Sequence, residues 1–182
     1  PDRMNNFPRS PGSCSLIVGA TGFIGGSLLR KLIASGQDVV CLAFGDRDQP
    51  TRLAQIAGAN IVEAESNDVE SLKKSLRGIH PDTVFNLASG GVNPTERDNK
   101  SLIEGNERLV TNLLHAFSSS RPRLFIQAGS WSEYEIGSDP TLFREEHSLT
   151  NLPGYGAAKA RATLEGTLLA EKLGITFVTL RL

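Results

Sequence analysis

Tyr155 and Lys159 stand four residues apart in LPGYGAAKARATLEG, residues 152–166. On a helix that spacing is just over one turn, so both side chains share a face. A phenol beside an ammonium group suits proton transfer at an oxygen. An ordinary tyrosine, with a pKa near ~10, is too weak a base at neutral pH, and bringing it to about 7 takes ~4 kcal/mol of differential stabilisation of the phenolate. A lysine charge fixed one turn away supplies part of that. The spacing alone recurs by chance in many helices. A third residue, Ser130 in FIQAGSWSEYE, follows an apolar run, at the strand end where open α/β sheets hold their ligands. Its hydroxyl can hydrogen-bond a substrate oxygen, although by itself it would read as a loop serine capping a turn.

A hydride leaves or joins a carbon only if the attached oxygen loses or gains a proton, so this trio calls for a hydride carrier. LIVGATGFIGGSLL offers a place for one, with Gly19, Gly22 and Gly25 at G-x-x-G-x-x-G spacing after a strand-like run. Gly19 permits the tight turn, Gly22 lets the backbone approach a pyrophosphate, and Gly25 lets the following helix pack closely. The helix N-terminus then presents free N–H groups and a partial positive charge to phosphate, with Thr21, Phe23 and Ile24 in the same loop. The acidic residue that NAD-binding folds place about 20 residues further on would fall near Ala43. Asp46 and Arg47 follow it. Arg47 suits the 2′-phosphate of NADP, whereas Asp46 could hold the ribose hydroxyl of NAD, and the balance leans to NADP.

These residues need a scaffold, and the hydropathy pattern predicts one. Short apolar runs at 14–18, 39–44, 60–64, 82–88, 123–129 and 175–182 read as strands. Helical patterns fall between them, from Phe23 to Gly36 and at 51–58, 68–78, 96–119 and 154–173. Regular alternation of this kind predicts an α/β fold, a Rossmann-type doubly wound parallel sheet with helices on both faces. The helix at 96–119 carries Leu102, Asn106, Leu109, Val110, Leu113, Leu114 and Phe117 on one side. Residues 1–13 hold three prolines and no apolar run, and are expected to be a flexible leader to a dinucleotide-binding domain at 14–182. The last strand stops at Leu182, and we expect the natural chain to continue.

Composition narrows the partners. The formal charge is −1, with 19 basic against 20 acidic residues and no basic block, which argues against nucleic acid. No apolar run reaches the ~18 residues of a membrane-spanning helix. Cys14 and Cys41 are expected as buried free thiols, and the protein as cytoplasmic. His80, His115 and His147 are too scattered for a metal site, so none is expected.

The glycine loop, Ser130 and Tyr155-x-x-x-Lys159 together resemble the extended short-chain dehydrogenase/reductase family, in its NAD-dependent epimerase/dehydratase branch, from Cys14 to Leu182. The resemblance implies Ser130 as donor to the substrate oxygen and Tyr155 as general acid/base. It gives Lys159 the nicotinamide ribose and the lowering of the tyrosine pKa. It also places Glu65 near the adenine, Leu87 and Ala88 of PDTVFNLAS beside the cofactor, and Asn106 where an asparagine steadies the active-site backbone. It implies a C-terminal substrate lobe beyond this chain, and a homodimer built on the helices at 96–119 and 154–173. Ala158, Ala162 and Gly166 form a small-residue stripe on the latter.

Departures narrow the chemistry. Dehydratases of the family follow the Ser/Thr with two acidic residues, where this chain has Trp131 and Ser132 with Glu133 one place late, so elimination is disfavoured. Glu135 also replaces the glycine that commonly follows the tyrosine at 134. A keto-sugar reductase or a nucleotide-sugar epimerase is the leading expectation. The alternatives are a reductase of a non-sugar carbonyl, or a non-catalytic NADP(H)-binding sensor or scaffold.

Overall fold

The structure is a computed structural model that describes residues 14–44, 59–90, 100–135, 143–150 and 154–182, with backbone alone at 100–103. The expected leader at 1–13, the helix at 51–58, and Asp46 with Arg47 lie outside the described residues. The strands are β1 (Cys14–Val18), β2 (Asp38–Phe44), β3 (Asn60–Ala64), β4 (Thr83–Asn86), β5 (Leu124–Gly129) and β6 (Thr176–Arg181). Among the described residues the helices are α1 (Phe23–Ala34), α2 (Val69–Ser75), α3 (Lys100–Ala116) and α4 (Tyr155–Leu173), with a 3-10 turn at Trp131–Glu133.

All strand pairs are parallel, in the order β3-β2-β1-β4-β5-β6. From β1 the chain winds outward to β3, then returns to β4 on the other side of β1 and winds outward again. The reversal between β1 and β4 opens a crevice above their C-terminal ends, which is where open α/β sheets bind ligands. β4 is shorter than its apolar run suggested. It ends at Asn86, and Leu87 leaves the sheet after donating its N–H to the Val18 carbonyl at 2.9 Å. That bond joins the turns following β1 and β4.

Both faces of the central strands are buried, which explains their continuous apolar runs. On one face Leu16, Val18, Val40, Leu42, Val84 and Phe125 meet Leu72 of α2, Leu109, Val110, Leu113 and Leu114 of α3, Phe117 just beyond it, and Ala162 and Ala170 of α4. On the other, Ile17, Val39 and Cys41 meet Leu29 of α1. Phe177 of β6 stacks on Phe125 at 5.4 Å between centroids, while Val178 and Leu180, turned to the opposite face, stay exposed. Both cysteines are free thiols. Cys41 is buried, but Cys14, at the strand's first position, is only partly so. Among the described residues no helix is long and apolar enough to cross a membrane.

The small stripe on α4 is spent inside the subunit. Ala158 and Ala162 are buried, and a Cβ on Gly166 would lie 2.6 Å from Phe177 Cζ and 2.9 Å from Val110 Cγ1. The stripe therefore lets α4 sit close to α3 and β6. The exposed apolar residues of α4 are instead Leu164 and Leu168.

Candidate active site

The turn after β1 is set by backbone crowding. Gly19 has φ +88°, and a Cβ there would stand 2.7 Å from the Ala88 nitrogen. A Cβ on Gly25 would lie 2.1 Å from the Gly19 carbonyl oxygen, so the first turn of α1 folds back onto the turn itself. Gly22 is different. Its Cβ would meet only that same oxygen, at 3.3 Å. Gly22 is the N-cap of α1, and no side chain caps the helix. The first N–H groups of α1 have no partners within the helix and carry its positive end. Phe23 stands 92% exposed beside them. Leu87 and Ala88 line the other wall, and this arrangement has the donor chemistry and clearance to fit a dinucleotide pyrophosphate.

Asn106 of α3 holds the chain after β4. Its amide nitrogen donates to the Gly90 carbonyl at 2.8 Å, and its carbonyl oxygen accepts from the Gly90 N–H at 2.8 Å. The side chain is buried, and the Gly90 carbonyl also accepts, at the longer distance of 3.4 Å, from the Ser89 hydroxyl. This clamp also places Ser89, whose hydroxyl lies 3.5 Å from the Tyr155 hydroxyl. Asn106→Ala removes both bonds and is expected to cost about 1–3 kcal/mol of stability. Chemical denaturation of the two proteins checks it.

Tyr155 opens α4 behind an N-cap glycine, Gly154 at φ +125°. Lys159, one turn on, is 2% exposed, donates from Nζ to the Ala128 carbonyl at 3.1 Å, and places Nζ 5.8 Å from the Tyr155 ring centre. Burial pushes its ammonium down to about 8, against the upward pull of the Glu133 carboxylate. The 3-10 turn brings Ser130 to the same end of α4. A Cβ on Gly156 would come within 2.1 Å of the Ser132 carbonyl oxygen, so the helix and the serine turn touch through backbone. Ser130 Oγ accepts from the Ser132 hydroxyl at 2.9 Å. Ser130, Tyr155 and Lys159 thus gather beyond the C-terminal end of β5, one strand from the glycine turn. Glu65 sits apart from them, past the end of β3, where its exposed carboxylate pairs with Lys74 at 3.1 Å.

A sequence profile of the NAD dependent epimerase/dehydratase family matches residues 15–182. The chain belongs to this family. The dTDP-4-dehydro-6-deoxy-D-allose reductase of a Streptomyces species is 30% identical over 183 residues, spanning 95% of this chain and 56% of that protein. The dTDP-6-deoxy-L-talose 4-dehydrogenase (NAD(P)(+)) of Kitasatospora kifunensis is 29% identical over 170 residues, 91% of this chain and 50% of that one. In fold, UDP-glucose 4-epimerase of Thermus thermophilus, solved with NAD, superposes at a TM-score of 0.78 with 22% identity, over 92% of this chain and 54% of that one. The chain spans about half the length of these relatives.

For a member of the epimerase/dehydratase family, the serine turn holds two surprises. Glu133, one place late for a dehydratase acid, is wholly buried and forms a capping box with Ser130. The signal was present, since S-x-x-E is capping-box spacing. Ser89 was passed over, and only its place as the first hydroxyl beyond β4 hinted at it. Trp131, beside Ser130, is 55% exposed, and its ring lies 6.5 Å from that of Phe143. Phe143 in turn stacks on Tyr134 at 5.1 Å.

Proposed function

We propose that the full-length protein is an NAD(P)-dependent oxidoreductase of nucleotide-linked sugars that reduces a keto group. Ser130, Tyr155 and Lys159 act on the carbonyl oxygen. The observation that supports this reading is that Tyr155, Lys159 and the Ser130 turn meet at the start of α4, with the Tyr155 hydroxyl 3.5 Å from Ser89, next to the Ala88 that packs on Gly19 of the glycine turn. The dinucleotide's pyrophosphate would be held by the N–H groups of Phe23 to Gly25, with Thr21, Leu87 and Ala88 around it; the Gly22 N–H is spent on the Gly19 carbonyl at 3.0 Å. The dinucleotide's adenosine end would lie toward Glu65, and of the two residues read from the sequence for the ribose, Arg47 suits the 2′-phosphate of NADP and Asp46 the hydroxyl of NAD. When bound, the nicotinamide supplies a hydride to the carbonyl carbon.

The chain's own residues manage the proton. Ser130 donates a hydrogen bond to the carbonyl oxygen and fixes its position. Tyr155 gives its phenolic proton to that oxygen as negative charge develops there. Lys159 stabilises the phenolate left behind, helped by the positive end of α4 at the tyrosine's own position. Asn106 and Ser89 keep the backbone and a hydroxyl against the Tyr155 oxygen.

A reductase is favoured over an epimerase because two relatives matched over more than nine tenths of this chain are a dTDP-keto-sugar reductase and a dTDP-sugar dehydrogenase, whereas a UDP-glucuronate 4-epimerase of similar identity matches over 79% of it. Trp131 and Ser132, where dehydratases carry acids, argue against elimination. The assembly we propose is a homodimer through Leu164 and Leu168 of α4. The test is oxidation of NADPH or NADH with a dTDP-4-keto-6-deoxy sugar. Faster turnover with NADPH supports the reading in full. Conversion of UDP-glucose to UDP-galactose without net cofactor consumption replaces it with an epimerase.

A further inference from the structure

Glu133 is a fully buried carboxylate for which a loop cap alone gives too little reason. One oxygen, Oε1, accepts from the Ser130 backbone N–H at 2.8 Å. The other, Oε2, accepts from Thr163 Oγ1 at 3.0 Å and from Arg181 Nε at 3.0 Å. Room is left for it by Gly129, whose Cβ would stand 2.5 Å from Oε1. Tyr155, Lys159 and Thr163 follow one another at four-residue steps on α4, so they form one stripe along the helix. By binding Thr163, Glu133 is pinned to that stripe one turn beyond Lys159.

We infer that Glu133 is a positioning residue that fixes the Ser130 backbone and holds Lys159 in its cationic form, with Arg181 as the counter-ion that allows an anion to be buried there. A neutral glutamine would cap the turn as well as a glutamate. A buried charge costs far more than a buried amide and is worthwhile only against a cation. Arg181 pairs with this carboxylate directly, and Lys159 feels it at longer range. Among the described residues, the charged and titratable groups around Lys159 are Tyr155 on its own helix, Glu133 from the serine turn and, through Glu133, Arg181 from β6. From β5 it meets only the Ala128 carbonyl. On α3, Asn106 is turned to Gly90, Glu104 pairs with Arg108, and Glu107 pairs with Arg161. The carboxylate of Glu133 is thus the anion placed to oppose the loss of the lysine proton on burial.

The inference rests on the proposed function only in treating Ser130 and Lys159 as working partners, and its test needs no substrate. Full-length protein labelled at lysine Cε is titrated by NMR, with the Lys159 signal assigned by its loss in Lys159→Met. For the parent a midpoint near 8 is expected. In Glu133→Gln it is expected to fall by about one unit, tenfold in the protonation constant. Loosened packing acts with the opposite sign, because water entering the site moves the lysine back up toward its ordinary value. The sign therefore separates an electrostatic role from a structural one. If the single variant does not fold because Arg181 is left unpaired, Glu133→Gln/Arg181→Met buries no charge at either position, and a smaller downward shift is expected, because loss of the Arg181 charge acts in the opposite direction. A midpoint that is unchanged or higher in the folded variant overturns the inference, while leaving the oxidoreductase reading to its own test.

Discussion

Full-length protein carrying Tyr155→Phe is expected to bind the nicotinamide dinucleotide as the parent does and to lose a factor of about a hundred to ten thousand in kcat. The substitution removes one oxygen and keeps the ring, so the packing at the start of α4 survives. What disappears is the only phenol at the site, since the chain's second tyrosine, Tyr134, is tied to Arg181 by a 3.0 Å hydrogen bond and stacked on Phe143. Ser89 lies 3.5 Å from the lost hydroxyl, but an aliphatic alcohol is far too weak an acid to replace a phenol. Steady-state kinetics with a dTDP-4-keto-6-deoxy sugar checks this. An unchanged kcat would remove Tyr155 from the chemistry.

The second large effect separates two glycines that look alike in the sequence. In Gly25→Ala the new methyl would stand 2.1 Å from the Gly19 carbonyl oxygen, 2.8 Å from the Gly19 carbonyl carbon and 2.9 Å from Ala20 Cα. Every neighbour is backbone, and that backbone is the turn. Relief requires opening the turn, at a cost of more than about 3 kcal/mol, and dinucleotide binding goes with it. In Gly22→Ala the methyl meets one atom at 3.3 Å, so stability should change by less than about 1 kcal/mol. The methyl nevertheless stands at the N-cap of α1, where the pyrophosphate is to approach, so NADPH affinity should fall while the fold persists. Urea denaturation with fluorescence titration of NADPH distinguishes the two. Equal stability of Gly25→Ala and the parent would contradict the crowding argument.

The sheet was legible because parallel strands buried on both faces are apolar at nearly every position: LIV, VVCLA and VF read as unbroken apolar runs, with Ser15 and Asn86 buried at their ends. The glycine turn was legible because the backbone approaches that need glycine recur at a fixed spacing. α3 was legible from its stripe, with Asn106 at the end of it nearest Gly90. The orientation of side chains in the serine turn was not. Glu133 occupies nearly the position of a dehydratase acid, and the sequence does not say that a 3-10 turn points its carboxylate inward. Its partners explain why: Thr163 lies 30 residues away and Arg181 lies 48 away, on elements that meet it only in the folded chain. Ser89 was hidden for the same reason, since Tyr155 is 66 residues further on. The α4 stripe was read correctly as a site of close contact, but the neighbours that fill it are Val110 and Phe177 of the same subunit.

Site geometry and family membership meet in one claim, that hydride passes to a sugar carbonyl whose oxygen is protonated by Tyr155. Nicotinamide cofactor deuterated at the transferring carbon, incubated with the full-length protein and a dTDP-4-keto-6-deoxy sugar, tests it directly. The account predicts a dTDP-6-deoxy sugar with one deuterium at C4, formed by the parent and lost in Tyr155→Phe. Product without deuterium at C4, or equal deuterium transfer by both proteins, would contradict it.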